Sequence, residues 1–143
     1  MKLSDFTNAI KDRLQAYATE HEIELLKEDA AELEHQIDKS LAEVGMMILI
    51  NHPDWLNTEL VRLVSNNDIT SEILITEMPT VWRDGIAPVC EDVAIEVTKL
   101  LQGLPVEGFA PLRVSRGDHV TDKRLQIYVV EVTSKFIVQK TTQ

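Results

Sequence analysis

The sequence predicts an α+β fold, a mostly antiparallel sheet with about three helices packed against it. Apolar residues recur at helical spacing in three separate stretches. The segments between them are short runs rich in Val, Ile and Leu, bounded by Pro, Gly, Asn and Asp. The order is helix, strand, helix, strands, helix, strands, which is not the regular alternation of a doubly wound sheet. No internal repeat, low-complexity tract or linker divides residues 1–143, so the chain reads as one domain.

The first helix is "SDFTNAIKDRLQAYATEH". Leu3, Phe6, Ile10, Leu14 and Tyr17 fall on one face, and Ser4 is placed to act as its N-cap. "EIELLK" follows as a short strand. In "EDAAELEHQIDKSLAEVG", Asp29 with Glu32 three residues later makes a capping-box start. Leu33, Ile37, Leu41 and Val44 form the apolar stripe, and Gly45 is a natural stop. "MMILINH" is apolar at successive positions, as expected for a strand covered on both faces. "HPDW", from His52 to Trp55, reads as its exit turn.

"ELVRLVS" and "TSEILITEM" predict two more strands with "NNDI" as the turn between them, the second stopping near Pro79. "GIAPVCEDVAIEVTKLLQGL" is the clearest helix. Ile86, Val89, Cys90, Val93, Ala94, Val97, Leu100 and Leu101 share a face, Pro88 suits the first turn and Gly103 the end. "FAPLRVS" and "RLQIYVVEVTSKFIVQ" are the last predicted strands, joined by a polar loop containing Arg116-Gly117-Asp118. In the final strand Tyr128, Val130, Val132, Phe136 and Val138 share one face. On the other, Leu125, Ile127 and Val129 give way to Glu131, Thr133 and Lys135. Its first half is therefore expected to be covered on both faces and its second half on one.

A hydrophobic fraction of 44% and a mean hydropathy of -0.08 allow a real core. The net charge of -10 argues against a general nucleic-acid binder, because neutralising phosphates takes Lys and Arg. The charge is uneven: residues 109–143 hold six basic against three acidic side chains, so the excess of acid lies in the rest of the chain. A basic end on an acidic body suits head-to-tail contact between identical chains. The N-terminus lacks the apolar core of a signal peptide, and "VGMMILI" is too short to cross a bilayer, so no membrane association is expected. Cys90, the one cysteine, forms no intrachain disulfide, as suits a reducing compartment.

The sequence offers no catalytic, cofactor-binding or metal-binding constellation. His21, His35, His52 and His119 do not share ligand spacing with each other or with a carboxylate cluster, and no glycine-rich phosphate loop, G-x-S-x-G or H-E-x-x-H occurs. Cys90, among Val89, Val93 and Ala94, reads as a small core residue rather than a nucleophile. The function expected is therefore contact with other proteins, not an enzyme's turnover. The candidate interface residues are Arg113, Arg116, Asp118, Lys123 and Arg124 around the final loop, with Trp82 of "PTVWRDG" as an aromatic anchor. Trp82 and Trp55 fit equally well as closures of the core. Arg116-Gly117-Asp118 reads as part of a polar projecting arm rather than an adhesion motif.

Several segments in order resemble the small tail-terminator, or tail-completion, proteins of long-tailed phages, with the Mu-like contractile-tail branch nearest. They are "DFTNAIKDRL", "IELLKEDAAELEHQIDKSLAEVGMMILINHP", the helix closing in "LLQGL", and "FAPLRVSRGDHVTDKRLQIYVVEVTSKF". The "MPTVWRD" segment departs from that pattern. The resemblance implies an α+β subunit of a ring, commonly a hexamer, that caps the head-proximal end of the tail tube and joins it to the head. It implies no catalytic residues and no cofactors. Its implied partners are copies of itself, the tube and sheath proteins, and a head connector, with DNA only passing through the channel. Its implied location is the virion tail, and the host bacterial cytoplasm during assembly. The alternatives are a head–tail connector or adaptor of a phage or phage-like particle and, further off, a small enzyme or ligand-binding domain.

Overall fold

The computed structural model describes residues 3–61, 64–79, 81, 89–122 and 125–139, with backbone alone for 56–61, 64–66, 116, 122 and 137–139. Among them are three helices and six strands. The order is α1 (Leu3–Glu20), β1 (Glu24–Lys27), α2 (Leu33–Glu43), β2 (Met46–Ile50), β3 (Asp54–Val61), β4 (Val64–Glu77), α3 (Cys90–Leu101), β5 (Arg113–Asp122) and β6 (Leu125–Gln139). The strands form one sheet in the order β1-β2-β4-β6-β5, with β3 also paired to β4. Only β1 and β2 run parallel. The α+β reading, with a mostly antiparallel sheet, is what the chain adopts.

Strands β4 and β6 are the spine. They pair without a break from Val64↔Gln139 to Glu77↔Gln126. Along the other edge of β4, β2 occupies the half from Ile73 to Glu77 and β3 the half from Val64 to Thr70. The intervening bend is pinned at Asn51. The Asn51 N–H donates to the Glu72 carbonyl at 2.9 Å, and the Ser71 hydroxyl to the Asn51 carbonyl at 2.8 Å.

Helices α1 and α3 cover one face. Phe6, Ile10, Leu14 and Ala18 of α1, and Val93, Val97 and Leu101 of α3, pack with Met46, Ile48, Ile50, Ile73, Ile75, Val130 and Val132. Burying each such side chain contributes on the order of 1.5–3 kcal/mol. Helix α2 covers the opposite face chiefly at the β1–β2 side, where Leu41 joins Leu26, Met47 and Leu49, with Leu74 and Leu125 packed at the margin. That double cover explains why all five residues of β2 are buried.

Helix α3 is capped by other elements. Its N-cap residue, Val89, offers no side-chain acceptor. Instead, buried Glu77 at the end of β4 accepts the Cys90 N–H at 2.9 Å. At the other end, Arg13 of α1 donates from Nε to the Leu100 carbonyl at 3.0 Å. A carboxylate thus meets the positive end of the helix dipole and a guanidinium the negative end. Glu77→Ala should cost about 1–3 kcal/mol in urea denaturation, with Glu77→Gln, which keeps an oxygen acceptor, recovering most of it.

Several local expectations need correction. Val89, expected on the apolar face of α3, stands before that helix as its N-cap residue and is 51% exposed. Ser4 lies inside α1, which already runs from Leu3. Asp29 and Glu32 form no capping box: α2 begins at Leu33, and Glu32 stands before it with φ 54 and no side-chain cap. The chain there is still tied to the sheet, with the Glu28 N–H donating to the Ile50 carbonyl and the Glu28 carboxylate accepting the His52 N–H. "ELVRLVS" is not one strand, since β3 ends at Val61 and β4 begins at Val64, and "NNDI" is not a turn but the interior of β4. Its Asn67 is fully buried, accepting the Trp55 indole N–H at 2.7 Å and donating to the Phe136 carbonyl at 3.4 Å. Tertiary hydrogen bonds thus satisfy the side chain that would otherwise favour a local turn. Finally, β5 does not span Phe109 to Ser115. Residues 109–112 are irregular and the strand begins at Arg113.

Candidate interaction surface

The segment expected to be a projecting loop is mostly strand. Strand β5 runs through Arg116, Gly117 and Asp118 to Asp122, against a β6 that starts at Leu125. Its register with β6 shifts between Arg116↔Val130 and His119↔Tyr128, so Gly117 and Asp118 form a bulge. A Cβ on Gly117 would lie 2.9 Å from the Val129 carbonyl oxygen, and this close approach accounts for the glycine. Beyond the bulge the His119 ring stacks on Tyr128, centroids 4.0 Å apart, and its Nε2 lies 2.9 Å from Gln126 Oε1.

Among the described residues strand β5 is the last in the sheet and pairs with β6 alone, which leaves its other edge free. Arg113 and Asp118 are exposed on it. Arg116 belongs to the same strand, opposite Val130, with only its backbone described. Lys123, Arg124 and Trp82 lie outside the described residues, as does Pro88. The fold therefore brings Arg113, Arg116 and Asp118 together along one free edge. Trp55, the other aromatic with two readings, is 57% exposed, yet its indole N–H is held by Asn67.

Two apolar features flank this edge. On the face away from α1 and α3, Val120 is 45% exposed and pairs with half-buried Ile127, beside half-buried Val129. The first half of β6 was expected to be covered on both faces. Helix α2 sits over β1 and β2 and leaves this stretch partly open. On the helix face a groove of about 280 Å³ runs between α3 and β6, lined by Ala94, Ile95, Thr98, Tyr128 and Val130 among others. Ile95 is 49% exposed. The sequence carried a signal for it, since Ile95 is an isoleucine off the apolar stripe of α3.

Polar clefts are present as well. One of about 510 Å³ is lined by Glu28, Asn51, His52, Asp54, Thr70, Glu72 and Glu131. Glu28, His52, Asp54 and Glu72 are all exposed. Among the described residues no group of three or more His, Cys, Asp or Glu side chains is placed to hold a metal ion. Cys90 is buried, and its thiol donates to the Ile75 carbonyl at 3.1 Å. Burial, with nearby Glu77 adding to it, pushes that thiol up to about 12, far from the thiolate a nucleophile requires. Tyr17 is raised too, first by burial and then by Glu96, Asp92 and Glu20, which mark an acidic surface where α1 meets α3. No described helix is long and apolar enough to cross a membrane.

Comparison with known proteins matches this chain to no family model and to no curated protein. Among solved structures it is similar to one whose name describes no function. That similarity has 15% identity and a TM-score of 0.54 over 100% of this chain and 99% of the other. At that identity the likeness is one of fold, extending over the whole of both chains.

Proposed function

We propose that this protein is a structural subunit of a phage or prophage tail, a tail terminator that acts by forming a ring on the head-proximal end of the tail tube. The observation that carries the reading is the free, bulged, arginine-bearing edge of β5 on an otherwise acidic molecule. A ring needs two unlike patches on each copy, meeting around a closed rotation. The α+β fold and the order of segments that resembles tail terminators support the same reading. In it the protein is not an enzyme and needs no cofactor. Its partners are its own copies in a hexameric ring, the tube and sheath proteins and a head connector, and an acidic channel wall lets DNA pass without adhering.

The variant Arg116→Glu/Arg124→Glu should weaken ring assembly in native mass spectrometry while circular dichroism remains that of the parent. Unchanged stoichiometry would remove this hairpin from the interface. Co-purification separates the terminator from a connector: the first binds tube or sheath ends, the second the portal side.

A further inference from the structure

The acidic counterpart of the β5 edge is identifiable from the sheet order. Strands β1 and β5 are the first and last in β1-β2-β4-β6-β5, so each presents a free edge on opposite sides of the sheet, roughly 19 Å apart at ~4.8 Å per strand. The segments that contain them carry opposite charge. Around β1, Glu20, Glu22, Glu24, Glu28 and Asp29 are all exposed. Lys27 is the one base between them, and its ammonium already bonds Asn8 Oδ1 at 2.9 Å and lies 4.0 Å from Asp29. Residues 20–43 as a whole carry nine acidic side chains against two lysines. Residues 113–124 of the β5–β6 hairpin carry four basic against two acidic.

We infer that the β5 edge of one copy docks alongside the acidic β1 edge of the next, so that the sheet's own two sides are the unlike patches of the assembly. The inference rests on the ring reading and adds the surface to which the basic edge binds. A second hairpin of the same kind is the poorer occupant, since residues 113–124 carry two more basic than acidic side chains. The bulge at Gly117 and Asp118 interrupts the outer ladder of β5, and β1 has only four residues, so the contact is one of side-chain charge more than of a shared hydrogen-bond ladder. A contact between two unlike edges repeats the same rotation from copy to copy, as a closed ring requires.

The test is a reciprocal charge swap on the full chain, read by sedimentation velocity and native mass spectrometry at low and high salt. Arg113→Glu/Arg116→Glu alone and Glu20→Lys/Glu24→Lys alone should each weaken self-association by about tenfold or more. An equimolar mixture should restore it, since in an alternating assembly every acidic edge again meets a basic one. The chain carrying all four changes should self-associate as well, which also shows that the swapped edges fold. Wild-type association should fall as salt rises above about 0.1 M, where screening shortens to about 10 Å. If either swap disrupts assembly and neither the mixture nor the fourfold variant restores it, β5 meets a different surface and the inference fails while the ring reading stands. If neither swap changes association, the inference fails as well. A wild-type chain that stays monomeric at high concentration and in the presence of tail tubes would defeat both.

Discussion

Phe6→Ala is expected to destabilise the protein by about 3–5 kcal/mol, the usual cost of emptying a buried aromatic site. Phe6 is fully buried on the inner face of α1. Its ring lies 5.5 Å from Phe109, which lies 5.5 Å from Phe136 in an edge-on contact. The three rings link α1, the irregular stretch before β5, and β6. That stretch is held as well by buried Leu112, by the Ser134 hydroxyl donating to the Ala110 carbonyl at 2.6 Å, and by backbone bonds such as Ala110 N–H to the Lys135 carbonyl. Removing Phe6 therefore strips contacts from a segment with little regular structure of its own. Against a total stability of roughly 5–15 kcal/mol the loss is large. Thermal unfolding should show a midpoint lowered by roughly 10 °C or more. Phe6→Leu, which keeps much of the volume, should recover most of it. A midpoint unchanged in Phe6→Ala would mean that α1 is not held by this aromatic chain.

Gly117→Val is expected to cost about 1–3 kcal/mol and to disturb the β5–β6 hairpin selectively. The first atom that a Cβ meets is the Val129 carbonyl oxygen at 2.9 Å, with the Val129 side chain at 3.1 and 3.2 Å. A backbone oxygen cannot swing aside as the end of a flexible side chain can, so β5 must lift from β6 at the bulge. Amide resonances of residues 113–122 and 125–133 should shift while those of α1 and β2 stay in place. Arg113 and Asp118 would move with the strand, so assembly should weaken in parallel. A variant with parental stability and spectrum would show that the bulge accommodates a side chain.

The helices were legible because each buries one stripe: Phe6, Ile10 and Leu14, or Val93, Val97 and Leu101, repeat at a spacing that only a helix brings together. Strand β2 was legible because its apolar run leaves no polar face. The errors fell where a polar side chain had a distant partner. Asn67 reads as a turn residue until Trp55 and Phe136 supply its hydrogen bonds. The end of β5 was missed because Arg116-Gly117-Asp118 is polar and contains glycine. An edge strand tolerates that composition, and a bulge favours it. Of the interface candidates, the sequence located Arg113, Arg116 and Asp118 near one another but gave no reason to place β1 on the opposite side of the sheet. That placement depends on non-local strand order.

The unbroken pairing of β4 with β6 sets when the chain is able to fold. Along this edge every residue that β4 pairs with lies beyond α3 and β5 in the sequence. During synthesis α1, β1, α2, β2 and the β3–β4 hairpin emerge first, yet the inner faces of Ile73 and Ile75 remain without Val130 and Val132 beside them. Such long-range closure is intrinsically slow, because the loop entropy is lost before the distant contacts form. The nascent chain must therefore keep an apolar half-sheet from aggregating until β6 leaves the ribosome and closes the spine of the sheet.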